Sequence, residues 1–133
     1  MPRGAAQRAW QSDLSVRTFE ITADKPGGSI TARVVVGAAG DEARAVRLEL
    51  MLPVGAGVTR LPDECRASPG PVMTLSARVT CTLGNIDARA TREIAVTTTM
   101  RPRGRTPMRF AAFALSDTPD PLPANNFAER ALR

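Results

Sequence analysis

The chain has 133 residues, enough for one domain around one core and too few for two. Its 43% apolar content is that of a globular protein, but only 4% is aromatic and Tyr is absent, so many small aliphatic contacts must build the core. The net charge is +5 with no His, which removes the commonest general base and metal ligand.

Eleven Pro and ten Gly are spread along the chain and cut it into short pieces, which suits strands and turns better than long helices. Residues 1–12 show no alternation and are expected to be a flexible tail, with one domain over 13–133. Leu14, Val16 and Thr18 alternate with Ser15 and Arg17, and the segment runs on through Phe19 and Ile21. Lys25-Pro26-Gly27-Gly28 is a turn signal. Ile30, Ala32, Val34 and Val36 then alternate with Thr31 and Arg33, as in a half-buried strand closed by Gly37 to Gly40.

Val46, Leu48, Leu50 and Leu52 form the cleanest apolar row, ended by Pro53. A short strand is expected over Val58–Leu61, followed by a loop from Pro62 to Pro71 that carries Cys65. Met73, Leu75, Ala77, Val79 and Cys81 make another inward row, with a turn expected at Gly84-Asn85. Ile94, Val96 and Thr98 share one face of a β-branched run. Arg101 to Pro107 reads as a basic turn. Met108, Phe110, Ala112 and Ala114 form a further row, Asp117–Asn126 a loop, and Phe127–Leu132 a last strand. The predicted fold is all-β: a two-sheet antiparallel sandwich of seven or eight strands, each sheet burying one face.

Cys65 and Cys81 are too far apart for a redox or zinc CxxC pair. A single disulfide is the preferred reading and implies an oxidising compartment; two buried thiols in a cytosolic protein are the alternative. No stretch reaches the length of a membrane span. The first eight residues lack the apolar stretch of a signal peptide, so either a leader is absent from this chain or the protein is cytosolic; the cysteines favour the former.

Asp117, Asp120, Asn125 and Asn126 bring four oxygen-bearing side chains into one loop, a lesser candidate for calcium. Asp and Asn beside Pro are also ordinary turn chemistry, and that reading is preferred. Arg101, Arg103, Arg105 and Arg109 are a candidate anion-binding turn. All but one of the 18 basic residues are Arg, but they are scattered among 13 acids, and a solvated charged turn is the preferred reading. No aromatic is interleaved among the four, which argues against nucleic acid. Catalysis finds little support. A Ser–Lys dyad could form only through Lys25, the single lysine, which sits in a turn. No cofactor is expected.

Two stretches carry a family resemblance. Val79-Thr80-Cys81-Thr82-Leu83-Gly84-Asn85-Ile86, continuing through Ala88 to Val96, resembles the "VTCTLG" stretch of a conserved repeat domain of unknown function in bacterial and archaeal surface proteins. Asp117-Thr118-Pro119-Asp120-Pro121-Leu122-Pro123-Ala124-Asn125-Asn126 resembles its closing D-x-x-D-P-x-P-x-N-N stretch. Asp13–Val16 is similar to its opening strand and Leu52-Pro53-Val54-Gly55 to its LP-x-G turn. The resemblance implies an immunoglobulin-like sandwich, a Cys65–Cys81 pairing, and a place outside the cytoplasm: extracellular, on the cell surface or periplasmic. It also implies a non-catalytic spacer, adhesive or protein-interaction module whose partner is a protein or an envelope polymer. The alternative expectation is a polyanion-binding domain that uses the Arg101–Arg109 turn.

Overall fold

The computed structural model describes residues 10–23, 28–53, 56–68, 78–99 and 108–132. Among them are nine strands: β1 (Ser12–Ala23), β2 (Ser29–Gly40), β3 (Ala43–Met51), β4 (Gly57–Arg60), β5 (Cys65–Ser68), β6 (Arg78–Ile86), β7 (Thr91–Thr99), β8 (Met108–Leu115) and β9 (Phe127–Leu132). A short 3-10 helix, Pro123–Asn126, leads into β9. The strands form two sheets, ordered β1-β2-β7-β4 and β5-β6-β3-β8-β9, and every pairing is antiparallel.

The alternating rows build the core between the sheets. Val34, Val36, Ile94 and Val96 face inward from one sheet, and Leu48, Leu50, Val79 and Phe110 from the other, all essentially without solvent contact. These strands form because β-branched and Leu side chains at spacing two cover one pleated face while Arg, Thr and Glu keep the other wet.

Three local features depart from simple alternation. In β1 the register slips between Val16 and Thr18. Arg17 is thus the bulged residue, and the inward face passes from Leu14 to Phe19, an odd step. The turn expected at Gly84-Asn85 is instead a bulge inside β6, which runs on to Ile86. There Gly84 takes φ +71°, and the Asn85 Oδ1 accepts the Ala45 N–H at 3.0 Å, with Ala45 itself at φ 52°. The chain turns only at 87–90, with Arg89 at φ 69°. Finally, the loop expected over Pro62–Pro71 contains β5, which adds the ninth strand. Met73, Leu75 and Ala77 lie outside the described residues, as do most of the residues 1–12 expected as a tail.

Strand directions define two poles. One gathers the start of β1, the 41–42 and 87–90 connections and the segment 116–126; the far ends of β2, β7, β8 and β9 mark the other. Trp10 therefore leads into the sandwich at the first pole, and Leu132, opposite Met108, leaves at the second.

Candidate functional site

The Asp/Asn loop gathers several oxygen-bearing side chains, and the structure uses them to tie down β1 and the connection from β2 to β3. The Thr118 hydroxyl, almost fully buried, donates to the Glu42 carbonyl at 3.1 Å and accepts the Arg44 N–H at 2.9 Å. The Asp117 N–H donates to the Arg44 carbonyl at 2.8 Å. The Asp120 carboxylate accepts the Leu14 N–H through Oδ2 at 3.1 Å and the Leu122 N–H through Oδ1 at 2.7 Å. The second bond closes an Asx turn, and the first ties the loop to β1. Ser12 donates its N–H to the Pro119 carbonyl at 3.0 Å, and the Asn125 Nδ2 donates to the Asp13 Oδ1 at 2.9 Å.

Residues just before β1 join the same clamp. Gln11 and Asp41 exchange two bonds of 2.9 Å, one to the Asp41 Oδ2. The Trp10 Nε1 donates to the Glu42 carbonyl at 2.9 Å, and the Arg44 guanidinium lies 4.8 Å from the Trp10 ring centre, a cation–π contact.

This geometry is that of a brace. Both Asp120 oxygens are engaged by backbone N–H groups, Asp117 enters through its own N–H, and Asn126 is buried with its Oδ1 unpartnered among the described residues. Those residues include no set of three His, Cys, Asp or Glu able to hold a metal ion.

Cys65 and Cys81 are joined, with Cα atoms 3.9 Å apart. They face each other directly on β5 and β6, and the Thr82 N–H donates to the Glu64 carbonyl beside them at 3.0 Å. That bond marks a non-hydrogen-bonded pair, the closer of the two antiparallel pair types. The bridge therefore ties a four-residue edge strand to its own sheet and does not link the two layers.

Of the four candidate arginines, Arg101, Arg103 and Arg105 lie outside the described residues. Arg109 points outward from β8 and pairs with Glu129 of β9 at 3.2 Å. Sequence reasoning passed over a different surface: Met51, Phe113 and Phe127 are exposed at 43%, 39% and 49% on the outer face of the five-stranded sheet. The signal was parity, since Phe113 falls between the inward Ala112 and Ala114 and so must face solvent.

Among the described residues no helix is long and apolar enough to cross a membrane. No protein-family model and no curated protein matches the chain. Among solved structures, the chain is similar to a Nocardia farcinica protein described as having an immunoglobulin-like fold: 11% identity, 86% of this chain and 96% of that one covered, TM-score 0.54. It is also similar to a cohesin module of a family 33 glycoside hydrolase from Clostridium perfringens, at 9% identity over 94% of this chain and 97% of that one, TM-score 0.49. A third is AvmM, described as catalysing macrocyclization in alchivemycin A biosynthesis, at 13% identity over 93% and 87% of the two chains, TM-score 0.45. The two-sheet antiparallel architecture and the Nocardia likeness together make this chain an immunoglobulin-like β-sandwich.

Proposed function

We propose that the chain is a non-catalytic structural or binding module of a secreted or cell-envelope protein, a spacer built on this sandwich. The observation that carries this reading is polar: the chain leads in at Trp10 on one pole and leaves at Leu132 on the other. A sandwich threaded in this way can carry load from one pole to the other and can be joined to others end to end. The clamp supports it, because it anchors the leading segment through Ser12, Leu14 and Gln11. The Cys65–Cys81 bridge supports an oxidising compartment. The resemblance of the closing Asp117–Asn126 stretch to a surface-protein repeat agrees with both.

Small-angle X-ray scattering of two copies joined head to tail tests the spacer. The maximum dimension is expected to be close to twice that of one copy; a folded-over pair with a single-copy dimension would count against it. Thiol labelling of native-source protein under denaturing, non-reducing conditions tests the compartment, and two reactive thiols would contradict it.

A further inference from the structure

We propose that the outer face of the β5-β6-β3-β8-β9 sheet is a docking surface for an acidic protein segment that carries apolar anchor side chains. The strand register lays this face out in rows. One row runs Arg66, Thr80, Glu49, Phe113, Phe127, and the next runs Ser68, Arg78, Met51, Ala111, Glu129. Arg47 and Leu115 are paired beside them. The β8-β9 side thus carries the apolar cluster, with Met51 and Leu115 flanking a Phe113–Phe127 edge-to-face pair at 6.3 Å beside the Arg109–Glu129 ion pair. The β5-β6 side is basic.

The opposite sheet is an internal comparison. Its outer rows hold Thr22, Thr31 and Thr97, then Glu20, Arg33 and Ala95, and Arg33 is closed onto Glu93 at 3.0 Å. A solvent-facing sheet of this chain can therefore be polar and charge-balanced, and the five-stranded one is not. Three of the five large exposed apolar side chains among the described residues lie on it. Such a cluster rimmed by polar residues is the usual form of an interaction surface.

Charge decides the occupant. Arg109 and Glu129 neutralise one another, while Arg47, Arg66 and Arg78 make no ion pair among the described residues. Glu49 is the one acid left to oppose them in these rows. A second copy of the chain would bring the same excess of arginine and no matching set of acids, so face-to-face self-pairing is disfavoured. Against a polysaccharide, the two Phe planes stand 63° apart and form no flat platform, while Met51 and Leu115 suit aliphatic side chains, Met by its adaptability. Carboxylates over the arginines and apolar anchors over the Phe pair describe a protein segment. This surface is independent of the spacer reading, since it would exist on a module joined to nothing.

Titration of the isotope-labelled full chain by NMR tests it. The probe is a soluble peptide of three Glu-Leu-Asp-Ser repeats, beside a Gln-Leu-Asn-Ser counterpart and a Glu-Ser-Asp-Ser counterpart. We expect resonance shifts confined to β3, β5, β6, β8 and β9, and affinity at least about tenfold weaker for either counterpart. Phe113→Ser with Phe127→Ser should lose binding to a similar degree. Should that variant not fold, Arg66→Glu with Arg78→Glu keeps the test open, because it should shift preference to a peptide with Lys in place of the acids. The proposal is overturned if the acidic peptide binds no better than its uncharged counterpart, or if shifts fall elsewhere. It is also overturned if heparin binds the same residues more tightly, or if the chain forms a dimer that Phe113→Ser dissolves.

Discussion

At the scale of single residues, the core leans on very few large side chains. Phe110 is the largest fully buried one among the described residues, in a row whose next members are only Ala112 and Ala114. Neighbouring alanines cannot swing in to fill a void, so Phe110→Ala should destabilise by about 3–5 kcal/mol. Urea denaturation measures this, and a loss below about 1 kcal/mol would show that the site collapses. Thr118→Val is isosteric but strips the hydroxyl from the Glu42 carbonyl and the Arg44 N–H, and should cost about 1–3 kcal/mol. Gly84 separates space from conformation. A Cβ there would meet nothing within 4 Å, but φ is +71°. Gly84→Ala should therefore cost about 1–2 kcal/mol through backbone strain alone, seen as a lowered unfolding midpoint. Inward identity was legible in the sequence for the rows at Ile30–Val36, Val46–Leu52 and Ile94–Thr98, because β-branched and Leu side chains alternate there without interruption. It was not legible that Asp120 braces β1 and Thr118 the connection from β2 to β3. Their partners, Leu14 and Glu42, are more than 70 residues away, and the bonds run to backbone atoms that carry no side-chain signature.

At the scale of elements, β5 is a short edge strand and the one that sequence pattern could not find. Only Cys65 of its four residues is buried, so it shows no alternation to read. Its ladder is short and its outer edge unpaired in the sheet order, leaving the bridge to Cys81 as its main tether. Replacing both cysteines by Ser should reduce stability by about 3 kcal/mol on the chain-entropy account of a loop of this size. The local effect should be sharper than the global one: hydrogen exchange at Arg66–Ser68 should approach unprotected rates while β2, β3 and β7 stay protected. Unchanged protection in β5 would mean that its backbone ladder suffices. The Gly84-Asn85 pair misled for a related reason. Gly-Asn is a strong turn signal, but the same tolerance of positive φ serves a bulge, and only the cross-strand Ala45 N–H distinguishes the two.

At the scale of the molecule, the question is whether the two sheets are separable. The chain passes between them five times, at β2–β3, β3–β4, β4–β5, β6–β7 and β7–β8. Neither sheet is a continuous piece of sequence, and each has an inner face of Val, Ile, Leu and Phe that only the other covers. Opening the layers would expose both inner faces at once, a cost no partly folded state could offset through its remaining ladders. Unfolding in urea should therefore be one cooperative transition. Two probes can test this at different places. Far-UV circular dichroism reads all the strands, while fluorescence of the single Trp, held against Arg44 and Glu42, reads the clamp at one pole. Because the clamp bonds Ser12 and Leu14 of β1 to the 117–122 segment between β8 and β9, it joins the edge of one sheet to the other and cannot release while both are formed. The two curves should share a midpoint. A Trp10 transition at lower urea, with strand signal intact, would show that the clamp frays by itself and that the leading segment is only loosely held, which would also remove the mechanical anchor on which the spacer reading depends.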